Sequence, residues 1–327
     1  MRKIILFYVL AVLAVTPALG QEKKLSMNQF YPIDAGHSYL EFSIKYMGYA
    51  KVKGRFSEFS GMFRYDENEL SNTSVTLMIK TESIDSDLEF RDNDLKSENW
   101  FDAKKFPTIT LKSKSITKRK DGFDVIGDLT MKDITKEVQL HLGPPSGVLK
   151  DVRGDAQVIF TGSTSLNRND FGVEGKRWSA VKEGITAVDS EVKIEFSILG
   201  KQLKAANFSN WVRDDQKPAG KLYKLIKEQG VTAGVTEFQK MKTENAVDEN
   251  ALSAAGRMLL LEGKTEDAIK VFETNRDAFS TSSNVQFNLG EGYATKGDWN
   301  KAKESFDVAL KLDPINPKAL EVLRHIQ

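Results

Sequence analysis

The stretch LEFSIKY, residues 40–46, decides the fold of this chain. Its apolar and polar residues alternate without a break: Leu40, Phe42, Ile44 and Tyr46 against Glu41, Ser43 and Lys45. Successive side chains of a β-strand point to opposite faces of the sheet, so this period of two is typical of a strand with one buried face. The stretch therefore predicts a strand whose even-numbered side chains face a core.

The same period recurs along the chain as far as Leu199. The further apolar runs are Val75 with Leu77 and Ile79, Ile109 with Leu111, Val138 with Leu140 and Leu142, Val158 with Phe160, and Val192 with Ile194, Phe196 and Ile198. Turn residues such as Asp121-Gly122 and Gly143-Pro144 separate these runs, which favours antiparallel neighbours. An open sheet would expose two edges, whereas a barrel exposes none. Residues 30–201 are therefore predicted to form an antiparallel β-barrel of about eight strands.

One polar segment, Ser83–Pro107, interrupts the alternation. It is too long for a hairpin loop, which usually takes about two to five residues. We expect it to form helical turns over one end of the barrel, as a lid, a ligand mouth or both. The side chains predicted at this mouth are Arg91, Asp92, Asp94, Leu95, Lys96, Trp100, Phe101 and Phe106.

The first twenty residues are predicted to be a cleavable signal peptide. Arg2 and Lys3 precede an apolar stretch, Ile4–Val15, and small residues at Ala18 and Gly20 precede Gln21. The apolar stretch is shorter than the roughly twenty residues of a membrane span. We expect cleavage near Gly20 and Gln21, a periplasmic or secreted protein, and no membrane span in the mature chain.

The composition disfavours several functional classes. Lysine plus arginine, 47 residues, balances aspartate plus glutamate, 46 residues, so no long-range field selects nucleic acid. The chain has no cysteine, and its three histidines, His37, His141 and His325, are too scattered to suggest a metal site. Asp92 and Asp94 could be paired as a general acid and base, but so polar a loop gives no dry pocket that would separate their pKa values. We expect no enzyme and no metal or catalytic residue.

After a linker predicted at residues 202–220, the period becomes helical and repeats every 34 residues. The shift aligns glycine with glycine, alanine with alanine and phenylalanine with phenylalanine: Gly256 with Gly290, Gly263 with Gly297, Ala268 with Ala302 and Phe272 with Phe306. This pattern resembles the tetratricopeptide repeat. The repeat region is predicted at residues 221–327. Its units are predicted at about 215–248, 249–282 and 283–316, followed by a capping helix. The first unit is degenerate and begins within the linker. Such an array can bind a protein partner, stabilise a dimer or be a structural appendage.

The barrel segment resembles the YceI family of secreted or periplasmic, lipocalin-like proteins that bind polyisoprenoids. The motifs that carry the resemblance are Ile33-Asp34, His37-Ser38, Gly54-Arg55-Phe56, Ser83-Ile84-Asp85, Arg91-Asp92, Phe101-Asp102-Ala103, Gly127-Asp128-Leu129-Thr130, Asn167-Arg168 and Asp170-Phe171-Gly172. The resemblance implies a barrel that holds an isoprenoid lipid or a quinone and performs no single established reaction. The chain departs from the family pattern at Tyr46 and Asp94, where histidine is common, and at Lys96, where arginine is frequent. Recognition of the ligand's polar end is therefore in question.

The predicted interior of the barrel is open to two interpretations. Its side chains are Leu40, Phe42, Ile44, Tyr46, Leu77, Ile79, Leu111, Leu140 and Phe196. Barrels of about eight strands either fill their interior with side chains or hold one small ligand, and a period of two cannot separate these cases. With an open interior the chain would be a lipid-binding protein. With a filled interior it would be a stress-response or assembly scaffold acting through its repeats.

Overall fold

In the computed structural model an antiparallel β-barrel is followed by a helical region, which confirms the predicted fold class. The structure describes residues 25–176, 178, 181–182, 185–202, 212 and 214–326. The predicted signal peptide and most of the predicted linker lie outside the described residues. The domain boundaries inferred from the sequence stay predictions.

The strands follow the alternating runs of the sequence. They are β1 (Phe30–Pro32), β2 (Tyr39–Tyr46), β3 (Ala50–Phe56), β4 (Phe59–Arg64), β5 (Ser74–Lys80), β6 (Ile84–Asp85), β7 (Thr108–Arg119), β8 (Gly122–Met131), β9 (Ile134–Leu142), β10 (Leu149–Lys150), β11 (Ala156–Asn167), β12 (Val181–Lys182), β13 (Ile185–Thr186) and β14 (Val188–Gln202). The main sheet has the order β1-β4-β5-β7-β8-β9-β11-β14-β2-β3-β6, with β10 on β11, and β12 pairs with β13. It has twelve strands. The sequence predicted about eight, because strands of two or three residues, such as β1, β6 and β10, leave no periodic signal.

Ile33 and Asp34, which follow β1, connect β4 with β14 and so close the curled sheet. The Ile33 amide donates to the Gly61 carbonyl of β4 at 3.0 Å, and the Asp34 amide donates to the Leu199 carbonyl of β14 at 2.8 Å. Gly200 permits this approach, since a Cβ atom there would lie 2.3 Å from the Phe63 ring. The sheet therefore closes through a few hydrogen bonds at Ile33 and Asp34.

The Ser83–Pro107 segment forms helix α1 (Glu89–Lys96) followed by turns. Two of its backbone carbonyls accept hydrogen bonds from residues outside the segment: Lys132 Nζ donates to the Trp100 carbonyl at 2.6 Å, and the Gly175 amide donates to the Asn99 carbonyl at 3.0 Å. Gly175 has a φ of 61°, and a Cβ atom there would lie 2.3 Å from the Trp100 ring. The position therefore requires glycine.

The C-terminal region is made of consecutive helix pairs. The helices are α2 (Pro218–Gln229), α3 (Val231–Thr243), α4 (Glu249–Leu261), α5 (Thr265–Ala278), α6 (Ser283–Lys296), α7 (Trp299–Leu312) and α8 (Pro317–Leu323). Gly290 of α6 lies against Phe306 of α7, where a Cβ atom would come within 2.5 Å of the ring, and Gly256 lies against Phe272 in the preceding pair in the same way. The 34-residue match therefore reflects one packing contact used twice.

Helix α8 packs on the outer face of the barrel, a contact that the sequence did not reveal. Glu321 of α8 is fully buried and accepts hydrogen bonds from the hydroxyl groups of Ser74 and, at 2.7 Å, Thr76, both in β5. Arg324 pairs with Glu321 and donates to the Ser113 carbonyl at 2.6 Å. Barrel and repeats thus share a buried polar contact.

Replacing Glu321 with alanine is expected to lower the free energy of unfolding by about 3 kcal/mol, because buried donors on Ser74, Thr76 and Arg324 would lose their acceptor. Urea unfolding followed by circular dichroism measures the change. The matched control is Glu304→Ala on an exposed position of α7, which is expected to change the free energy by less than about 0.5 kcal/mol. Equal losses in the two variants would contradict the buried role of Glu321.

Candidate ligand-binding cavity

The barrel interior contains a cavity of about 140 Å³, here called the inner chamber. Seven of the nine predicted interior side chains line it: Leu40, Phe42, Leu77, Ile79, Leu111, Leu140 and Phe196. They come from several strands around the barrel. All of them point inward, because the even residues of β2 and the odd residues of β5 and β7 share the inward face. The alternation in the sequence therefore placed these side chains on one surface.

A second cavity of about 360 Å³, here called the outer chamber, lies beside α1. The other two predicted interior residues, Ile44 and Tyr46, line this chamber. Phe90 of α1 also lines it and is 78% exposed, and Tyr46 is 38% exposed. The outer chamber therefore reaches solvent beside α1.

The two chambers adjoin each other. They share five lining side chains: Phe42, Phe56, Met131, Leu166 and Ile194. All five are apolar, so a ligand that passes from one chamber to the other would meet hydrocarbon at the junction. The inward face of the barrel surrounds more space than its side chains fill.

The predicted mouth residues divide into two groups. Those that line the outer chamber are Arg91, Asp94, Leu95, Trp100 and Phe101, whereas Asp92, Lys96 and Phe106 line neither chamber. Asp92 is buried and accepts hydrogen bonds from the Ser86 amide, at 2.8 Å, and hydroxyl. These hydrogen bonds fix the conformation of the Ser83–Pro107 segment, and Asp92 does not line either chamber.

Asp94 holds two tryptophan rings at the wall of the outer chamber. Its Oδ2 atom accepts from Nε1 of Trp100 at 2.8 Å and from Nε1 of Trp178 at 3.1 Å. Its Oδ1 atom accepts from Asn99 at 3.3 Å. Both carboxylate oxygens thus have protein partners, and we interpret Asp94 as a residue that positions the wall.

Two guanidinium groups line the outer chamber. Arg91 donates to the Ser86 hydroxyl at 2.8 Å and to the Ser86 carbonyl at 2.6 Å. Arg168 is 7% exposed and donates to backbone carbonyls, including Val173 at 2.6 Å and Asp189 at 2.8 Å. Burial lowers the pKa of the Arg168 guanidinium, although the nearby acids oppose this shift.

Neither guanidinium has a carboxylate within 4.0 Å among the residues that the structure describes. A partly desolvated cation without a paired anion favours ligand groups that accept hydrogen bonds. Arg168 also stacks on the Trp100 ring at 5.2 Å. Arg168 belongs to the Asn167-Arg168 motif, but the sequence did not predict it as part of the site, because it follows β11, far along the chain from the mouth segment.

Among the residues that the structure describes, no group of three or more histidine, aspartate or glutamate side chains could hold a metal ion. No described helix is long and apolar enough to cross a bilayer.

Comparison with known sequences gives matches to both regions. A family profile described as YceI-like domain matches residues 31–199, and one described as tetratricopeptide repeat matches residues 283–316. A UPF0312 protein of Vibrio vulnificus is 36% identical over 146 residues, which are 44% of this chain and 77% of the relative. A UPF0312 protein of Pseudomonas aeruginosa is 35% identical over 167 residues, 50% of this chain and 86% of the relative.

Solved structures similar to this chain include BcnA of Burkholderia cenocepacia, with 24% identity, a TM-score of 0.45 and coverage of 51% of this chain and 98% of BcnA. A polyisoprenoid binding domain from Saccharophagus degradans, implicated in plant cell wall breakdown, has 15% identity and a TM-score of 0.40 and covers 53% of this chain and 98% of that domain. The YceI-like match covers more than half of the chain. With the curated relatives, it shows that this chain belongs to the YceI-like family and carries a tetratricopeptide repeat at residues 283–316.

Proposed function

We propose that this chain binds the hydrocarbon tail of an isoprenoid-type lipid or quinone in its barrel and sequesters or carries it without making or breaking a bond. The observation that carries the proposal is the pair of adjoining apolar chambers. This open interior supports lipid binding over the alternative of a scaffold with a filled barrel. Membership of the YceI-like family agrees with it.

Apolar burial supplies a large favourable free energy for holding such a ligand. Each buried methylene-sized group contributes about 0.8 kcal/mol, so about ten groups contribute about 8 kcal/mol. Before the costs of association, this corresponds to a dissociation constant of about 1 μM. A dry cavity therefore needs no covalent chemistry to retain a lipid.

The polar end of the ligand is proposed to lie in the outer chamber. Arg91 presents its guanidinium group there, whereas all three nitrogens of Arg168 already donate to protein oxygens and Asp94 is occupied by the two indole groups. An acceptor such as a quinone carbonyl or an oxygen-rich head group suits the Arg91 donors. The tail would then extend inward past Phe42 and Phe56.

Export and partner binding complete the proposal. The signal peptide predicted from residues 1–20 supports a periplasmic or secreted location. The repeats support docking of a protein partner, since stacked helix pairs offer a concave surface. Both remain proposals about the setting in which the barrel acts.

Filling the inner chamber is expected to weaken binding of long chains selectively. Leu111→Phe adds volume to a wall of that chamber, so affinity for a chain of about forty carbons should fall roughly tenfold, or about 1.4 kcal/mol. A chain of about ten carbons, which the outer chamber can hold, should bind unchanged. Isothermal titration calorimetry with both chains measures the difference.

The matched control is Leu149→Phe on β10, a half-exposed position that lines neither chamber. It is expected to leave both affinities unchanged. If Leu111→Phe weakened the two chain lengths equally, or neither, the inner chamber would not be the tail site.

Protein purified from the periplasmic fraction of an exporting host is expected to carry a co-purified lipid. Its off-rate should be slow because the tail is buried along both chambers. Mass spectrometry of the organic extract identifies the lipid, and the same fraction from cells without the gene gives the background. An extract indistinguishable from that background would argue strongly against the proposed function.

A further inference from the structure

The barrel wall has a gap between β9 and β11. These strands pair at Gly162 with Leu142 and at Ser163 with His141, and at no further position in either strand, both of which are described throughout. By contrast, β9 pairs with β8 along its whole length. The last link across the gap is the Thr164 hydroxyl, which donates to the Gln139 carbonyl at 2.7 Å.

A groove of about 620 Å³ follows this gap on the outside of the barrel. Its lining includes Val138, Thr164, Leu166 and Ile194, which also line the inner chamber. Leu166, Ile194 and Phe171 belong to both the groove and the outer chamber. Side chains of the apolar interior therefore form part of an outer surface at this place.

The groove differs from the chambers in its chemistry. Lys136 is opposite Leu129 in the β8–β9 ladder, and Leu129 lines the inner chamber, so the alternation assigns Lys136 to the inward face. It is nevertheless exposed, because no strand covers it. Lys136 and Lys193 line the groove together with three acidic side chains, Glu137, Asp170 and Glu195, so its lining is polar and carries both charges.

We propose that the gap between β9 and β11 is a lateral portal, through which the tail of an amphiphilic ligand passes sideways while its polar end moves along the groove, past Lys136 and Lys193, to the adjoining outer chamber. This inference rests on the proposed function. A polar head that crossed the apolar interior would lose its hydration, and the groove avoids that loss. A portal between β7 and β8 or between β8 and β9 would have to break a continuous hydrogen-bonded ladder, whereas most of the ladder between β9 and β11 is missing.

The absence of cysteine from the chain allows a direct test. The double variant Gln139→Cys with Ser165→Cys places thiols on exposed positions across the gap, where a short bifunctional maleimide can bridge them. The control double variant, His141→Cys with Ser163→Cys, receives the same bridge where the strands already pair. A third, Tyr46→Cys with Phe90→Cys, bridges the opening of the outer chamber.

Stopped-flow fluorescence with a dansylated farnesyl probe measures binding and release in the full-length protein. Bridging the gap is expected to slow both rates by roughly tenfold or more and to leave the dissociation constant unchanged, since a portal alters the path and not the bound state. The bridged His141–Ser163 control is expected to keep the rates of the unbridged protein.

Unchanged rates in the gap-bridged protein, with slow rates in the protein bridged at Tyr46 and Phe90, would overturn the portal and assign passage to the outer chamber. Failure of the unbridged protein to bind the probe at all would count against the proposed function itself. The two failures are therefore distinguishable.

Discussion

The architecture depends on a sheet that curls until its inward apolar side chains face each other across space that they do not fill. Closure is achieved at Ile33 and Asp34, whose amides reach Gly61 of β4 and Leu199 of β14, on either side of the closure. These contacts fix the curvature and so the width of the interior. If the sheet were flatter, Leu40 and Leu77 would line a surface, and if it were tighter they would pack as an ordinary core.

The sequence predicted what depends on neighbours along the chain. Alternation identified the strands and seven inner-chamber residues, and the 34-residue period identified the helix pairs, because both patterns repeat within one element or one repeat. It could not predict the volume enclosed. The alternation indicates on which face of the sheet Leu111 lies, but not how far that face is from the opposite wall of the barrel.

The mouth was predicted less well than the interior, for a related reason. Polarity and spacing marked Ser83–Pro107 as a special segment, but the partners of its side chains are set by folding. Asp94 bonds to Trp178 from a distant part of the chain, and Asp92 turns back to Ser86. Arg168 joins the site from the end of β11. Such contacts leave no periodic signal in one sequence.

The contact of α8 with the barrel bears on how the two regions can be separated. Phe30 and Met62 of the barrel belong to the same buried apolar cluster as Leu222, Leu252 and Val322 of the helices. A barrel cut away from its repeats would present Phe30 and Met62 to water, beside the uncovered hydroxyl groups of Ser74 and Thr76. Poor solubility of such a fragment would then reflect the loss of its cover, and would carry no information about its affinity for lipid.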